Sequence, residues 1–225
     1  MKKTLLYIIG AIVVVAALTV SLIFVFGGKN ENEQVNIPDL TGNWVVAAVY
    51  TNDTPVFTEN QYMVFKDGTA SMYTDGKSEP YATSTYSINE ASQLLLPDIS
   101  REYKVAKKTD HCVRLYESAD KYLLLVKNSS EALVPEAVTV QDLTGSWNVA
   151  MKGDQLNNGE KLSFADGKLS YYKAGATEPS ATADFTLENG VLKAPTLGME
   201  MRCYVTSENT LALIEQSGIV WELAK

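Results

Sequence analysis

Asp39-Leu40-Thr41-Gly42-Asn43-Trp44-Val45-Val46-Ala47 returns later in the chain as Asp142-Leu143-Thr144-Gly145-Ser146-Trp147-Asn148-Val149-Ala150, with seven of nine positions identical. The likeness runs on from there. Phe65-Lys66-Asp67-Gly68 answers to Phe164-Ala165-Asp166-Gly167, and Tyr73, Gly76, Glu79 and Pro80 answer to Tyr172, Gly175, Glu178 and Pro179. Ala82 and Thr83 match Ala181 and Thr182, while Pro97, Leu115, Glu117 and Lys127 match Pro195, Leu213, Glu215 and Lys225. The offset between copies falls from 103 to 99 to 98. Its first change lies in residues 50–60, which marks that stretch as a loop, because loops tolerate length change and strands do not. Copies spanning 39–127 and 142–225 are too long for solenoid units and suit two small independent domains.

Within each copy the pattern is that of short strands. Residues 44–50 are rich in Val and aromatics. Residues 62–65 and 69–73 flank Asp67-Gly68, a hairpin signal in which both central residues want positive φ. A further turn is expected at Asp75-Gly76. Segments 83–88, 94–96, 102–106, 113–117 and 122–126 follow, and the second copy repeats the series with turns at Asp166-Gly167 and Asn189-Gly190. Outside the N-terminal segment no helical period is sustained. About eight strands in sequential order leave an up-and-down barrel or a Greek-key sandwich. A sandwich normally needs a long crossover, and none is visible, so the fold class expected is all-β, with two tandem up-and-down barrels. Strands of about six residues, tilted near 40°, would give a barrel roughly 15 Å tall, which its own side chains can fill or nearly fill.

The order Leu40-x-Gly42-x-Trp44 (and Leu143-x-Gly145-x-Trp147), then Phe-x-Asp-Gly, then alternating short strands, resembles the short bacterial lipocalin-like domains of the calycin superfamily. The resemblance implies that Trp44 and Trp147 pack across the closed end of an eight-stranded barrel as core residues, and that small apolar ligands sometimes occupy the open end. Larger lipocalins cover that tryptophan with an arginine. Arg114 is the counterpart by position in copy one, but Ala212 stands there in copy two. By the same resemblance, residues 51–60 border the barrel mouth.

Ahead of the repeats, Lys2 and Lys3 precede residues 4–26, which carry no charge. At about 1.5 Å per residue a helix of this length reaches roughly 35 Å, enough to cross a hydrocarbon core of about 30 Å. A cleaved signal peptide has a shorter apolar core and small residues at its end; here the run closes with Leu22-Ile23-Phe24-Val25-Phe26. One transmembrane anchor over residues 1–28 is the favoured reading. The lysines keep the N-terminus cytoplasmic and place the β-domains outside the membrane. Residues 29–38 and 128–141 are the linkers; the second, with Ser129, Ser130 and Pro135, would permit some relative motion of the copies.

The chain carries 27 acidic against 19 basic residues, a net charge of −8. Acidity spread over both copies disfavours nucleic acid and anionic lipid as partners, since these require clustered Lys and Arg. Catalytic and metal sites are expected to be none, and likewise cofactors. His111 is the single histidine, flanked by Asp110 and Cys112, and neighbours along a strand point to opposite faces. A surface turn is the simpler reading. No Gly-x-Ser-x-Gly elbow, zinc ligand set or calcium loop is present. Glu79 and Glu178 recur before proline and read as turn chemistry. Cys112 and Cys203 fall one to a copy and read as two buried thiols rather than a disulfide framework. The twelve tyrosines suit half-buried sheets as well as a binding surface. These features favour a non-enzymatic, membrane-anchored binding module outside the cytoplasm, for a small apolar ligand. The alternative is an interaction protein whose filled barrels dock an envelope protein.

Overall fold

A computed structural model describes residues 39–74, 77–130, 132–156 and 158–225. The expected anchor at 4–26, the whole first linker at 29–38 and the Asp75-Gly76 turn lie outside the described residues. Among the described residues no helix is long and apolar enough to cross a membrane.

The chain forms two tandem, nearly closed antiparallel barrels. The first is built from β1 (Gly42–Thr51), β2 (Thr54–Phe57), β3 (Gln61–Lys66), β4 (Thr69–Thr74), β5 (Ala82–Thr85), β6 (Ser87–Ile88), β7 (Gln93–Leu96), β8 (Arg101–Lys107), β9 (Cys112–Ser118) and β10 (Lys121–Lys127). The second repeats it with β11 (Gly145–Lys152), β12 (Gln155–Leu156), β13 (Lys161–Ala165), β14 (Lys168–Tyr172), β15 (Ala181–Asp184), β16 (Thr186–Glu188), β17 (Val191–Ala194), β18 (Met199–Ser207), β19 (Thr210–Glu215) and β20 (Val220–Ala224).

β2 and β12 fold back on β1 and β11 beside the main path. The remaining strands run in sequence order from β1 to β3 and from β11 to β13 onward, and the last pairs back on the first: β1 with β10, β11 with β20. The circle is completed by a bent segment. β5 pairs with β4 and β6 with β7, and Tyr86 alone separates the two halves. Sequential hairpins need only tight turns, and the residues supply them. Asp67 (φ 49°) and Gly68 (φ 74°), Asp166 (φ 52°) and Gly167 (φ 73°), and Asn189 (φ 50°) and Gly190 (φ 72°) all take the paired positive φ of a type I′ turn.

Two differences from the sequence expectation matter. Residues 51–60 are not a free loop. Asn52 and Asp53 make a tight turn, and β2 returns along the far half of β1. This lengthens β1 to ten residues. The second difference is an extra residue in the first strand of each barrel. The β1–β10 register slips between Val46 and Ala48, and the β11–β20 register between Val149 and Met151. A bulge reverses the side-chain phase beyond it. Trp44 and Val46 point into the first barrel before Ala47; after it, Ala48 and Tyr50 point outward. In the second barrel Trp147 and Val149 point inward, Met151 outward, and Lys152 into the barrel end.

Three apolar cores result. One fills each barrel, around Trp44 and Phe65 in the first and Trp147 and Phe164 in the second. The third is a seam between barrels, joining Ala47, Ala48, Tyr50, Cys112, Leu124 and Val126 to Met151, Ala212, Ile214 and Val220. Polar contacts edge it. Tyr50 Oη donates to Gly218 O at 2.7 Å. Lys108 Nζ and Arg114 Nη1 approach Asp154 Oδ1 at 2.9 and 3.2 Å. Arg202 stacks on Phe57 at 4.9 Å. The Glu222 carboxylate is only 6% exposed; it accepts from Thr109 Oγ1 and lies 3.4 Å from His111 Nδ1.

The barrels are therefore docked, and the linker is a strap more than a tether. Asn128 N donates to Asn43 O at 2.9 Å, and Asn43 Nδ2 to Ser130 O at 3.2 Å. The strap ends in a one-turn helix, Val140–Leu143, started by a capping box between Thr139 and Asp142.

Candidate functional site: the open barrel ends

The end where each barrel begins is plugged. Trp44 and Trp147 are each 1% exposed, and their indole Nε1 donates at 2.7 Å to the carbonyls of Leu40 and Leu143. That bond ties the strand to the segment four residues earlier, so Leu40 and Leu143 are drawn in as well, to 1% and 0% exposure. Gly42 and Gly145 both sit at φ 121°, a backbone region that side-chain-bearing residues rarely adopt. This single constraint accounts for the Leu-x-Gly-x-Trp spacing.

Among the described residues it is a lysine, not an arginine, that approaches each indole. Lys127 Nζ lies 5.6 Å from the Trp44 ring and Lys225 Nζ 4.6 Å from the Trp147 ring. The expected counterpart, Arg114, instead stacks on Tyr122 at 5.5 Å and reaches Asp154 across the seam. Its position on β9 alternates outward between inward Val113 and Leu115, which is why it cannot reach the core. The Lys127–Lys225 match was visible in the sequence as the last shared position of each copy.

At the opposite end both barrels open. The β1–β10 ladder runs from Trp44↔Lys127 to Thr51↔Lys121, and Lys121 is on the rim of a recess of about 460 Å³. Its apolar wall is formed by Val46, Val49, Met63, Met72 and Leu123, with Tyr103 and Tyr81 beside them. Across the rim, Glu117 is held by Arg101 and by Lys121 Nζ, the latter at 2.6 Å. The Lys121 hydrogen bond, helped by Arg101, keeps the Glu117 carboxyl below its usual range. Burial pushes the Tyr103 hydroxyl upward.

The second barrel has a matching recess of about 520 Å³. Tyr171, Leu197, Met199, Met201 and Trp221 supply its apolar wall. Trp221 Nε1 donates to Glu215 Oε1 at 2.7 Å, and Ser217 Oγ donates to Oε2 at 2.8 Å. Lys152, delivered here by the bulge at Ala150, places its ammonium 4.0 Å from the Trp221 ring, 6.0 Å from the Tyr171 ring and 3.4 Å from Glu160 Oε2. Burial opposes ionisation of Glu160, but Tyr171 and Lys152 outweigh it and hold the carboxyl below its usual range. Desolvation, with Glu160 nearby, pushes Tyr171 up to about 12.

Residues 51–60 line neither recess, contrary to the expectation that they border the mouth; Phe57 and Glu59 face Arg202 of the second barrel instead. Glu79 and Glu178 are exposed in turns. His111 is in a bend, as a turn reading requires, but its ring is 21% exposed and packed at the seam rather than free on the surface. Cys112 is in the seam core and Cys203 in the second barrel core, both as free thiols. Among the described residues no group of three His, Cys, Asp or Glu side chains is placed to hold a metal ion.

These features define a class: a tandem pair of nearly closed, up-and-down β-barrels, each plugged at one end and recessed at the other. No family model matches the chain, and no curated protein matches it. Among solved structures, a protein of unknown function from the DUF3598 family of Nostoc punctiforme PCC 73102 aligns over 87% of this chain and 100% of its own. That match has 10% identity and a TM-score of 0.31. A putative DNA polymerase III beta subunit from Eubacterium rectale ATCC 33656 aligns over 87% of this chain and 59% of its own, at 8% identity and a TM-score of 0.15.

Proposed function

We propose that this protein is a non-enzymatic binding module. Two lipocalin-like barrels, held on the outer side of a membrane by residues 4–26, each offer an open end to a small, largely apolar molecule. The supporting observation is that the recess recurs. Both barrels carry it at the same end, opposite the tryptophan plug, with an apolar wall and a few placed polar groups, although the lining residues differ. Volumes of about 460 and 520 Å³ lie within the range of roughly 300–1,000 Å³ common for small-molecule sites.

The test is native mass spectrometry of the full chain, purified from its own membrane and compared with the same chain refolded from denaturant. Extra mass of a few hundred daltons in the first sample alone is the expected result. Such a ligand, returned at a hundredfold excess over its dissociation constant, stabilises the folded state by about 2.7 kcal/mol. Two identical apo masses would sink the reading and leave the docking role, with an envelope protein as partner, in its place.

A further inference from the structure

The two recesses share a place in the barrel and a similar volume but not a charge. Around the first, Arg101 and Lys121 stand against Glu117 alone, an excess of positive charge. The second keeps the matching carboxylate, Glu215, but loses both cations. Met199 follows the one-turn helix Pro195–Leu197 as Arg101 follows Pro97–Ile99, and Ile219 takes the place of Lys121 just ahead of β20. Carboxylates gather there as well. Glu200 and Glu215 line the second recess, Glu200 being matched by Glu102 in the first barrel, and the added carboxylate is Glu160, which stands where the first barrel has Gln61 and pairs with Lys152. Among the described residues that line this recess the one cation, Lys152, is seated on the Trp221 face at 4.0 Å.

We propose that the recesses select opposite headgroup charges. The first takes an amphiphile with an anionic head between Arg101 and Lys121. The second takes one with an ammonium head, seated on Trp221 where the Lys152 ammonium now lies. This rests on the binding reading above. Physical chemistry separates the two sites cleanly. A guanidinium has five N–H donors in a planar fork, and Glu117 engages Arg101 through Nη1. Lys121 adds three donors, of which one is aimed at the same carboxylate. An incoming carboxylate or sulfonate thus meets donors with capacity to spare. In the second recess the same anion meets Glu200 and Glu215, whose oxygens already accept from Gln216, Trp221 and Ser217. An indole face flanked by carboxylates attracts a cation, as the Lys152 ammonium seated there shows; a ligand ammonium takes that seat by displacing Lys152 toward Glu160, whose Oε2 is 3.4 Å away.

Decanoate and decylammonium, with one chain length and opposite heads, are the probes. The full chain is held in lipid nanodiscs, with empty nanodiscs as the blank, and binding is followed by calorimetry and by tryptophan emission. Trp44 and Trp147 are at the plugged ends, whereas Trp221, itself only 5% exposed, lines the second recess and reports on it. Decanoate should bind without moving the Trp221 emission, and the double variant Arg101→Met/Lys121→Ile should lose at least tenfold in its affinity. Decylammonium should shift the emission and survive that variant. Arg101 and Lys121 are about half exposed at their side chains, and the wild-type emission decides the case even if the variant misfolds. If decanoate moves Trp221 as strongly as decylammonium, or binds the folded variant undiminished, the charge selection is wrong while the binding reading stands. If neither probe binds, both fall.

Discussion

Gly42 and Gly145 share a φ of 121° to the degree, each two residues ahead of a buried tryptophan. The strand must enter the barrel at that angle for the indole N–H to reach back four residues to a carbonyl. A Cβ at Gly145 would meet nothing within 4 Å, so any cost of adding one is conformational rather than steric. Gly145→Ala should therefore destabilise the second barrel by about 1–3 kcal/mol, read as a lower midpoint in urea with an unchanged slope. An effect within a few tenths of a kcal/mol would show that the backbone relaxes freely. The cysteines allow a second prediction at this scale. Burial, reinforced by Glu222, drives the Cys112 thiol well above its usual range, and burial does the same for Cys203. Only the thiolate alkylates readily. Native protein at neutral pH should resist iodoacetamide at both sites, and denatured protein should take two labels.

At the level of elements, the strands and hairpins were legible, because alternation and Asp-Gly or Asn-Gly turns are local signals. The bulges at Ala47 and Ala150 were not, although both alanines stood in the repeated nonapeptide. Each bulge turns the phase of its strand, and so decides that Tyr50 and Met151 build the seam and that Lys152 enters the second recess. A local signal for the seam did exist. Residues 45–50, 122–126 and 211–214 are apolar without alternation, the mark of strands covered on both faces. The recesses were legible only as an end of the barrel, since their charged groups come from strand ends far apart in sequence. The turn after β11 gives a prediction of its own. Lys108, then Arg114, outweigh the burial of Asp154 and hold its carboxyl below the ordinary 3.8. A depressed folded value means that the stabilisation is complete above 3.8 and disappears as pH falls through the folded value. Asp154 is 65% exposed, so the pair is worth about 0.5–1 kcal/mol at most. Asp154→Asn should lower the melting temperature at pH 7 and make no difference near pH 2. An equal loss at both would show that charge is not what matters there.

For the whole molecule, the seam makes two repeats one cooperative body. Ile214 is fully buried within it, and a carboxylate there would be an unpaired buried charge. Scanning calorimetry of the full chain should show one β-domain transition, and Ile214→Asp should split it into two. Two transitions in the wild type would mean that the seam is too weak to couple the barrels.

The seam also sets an order of events while the chain is being made. The first barrel has all its strands once Lys127 has emerged, but Ala48, Leu124 and Val126 on its outer wall wait for Val220, nearly at the other end. At the usual ribosomal pace of about 5–20 residues per second, that wait is roughly 5–20 s. For that interval a finished barrel shows the surrounding medium a sticky flank. A second nascent copy could seize that flank before the proper partner arrives, so the rate of synthesis bears directly on how much protein matures as single molecules.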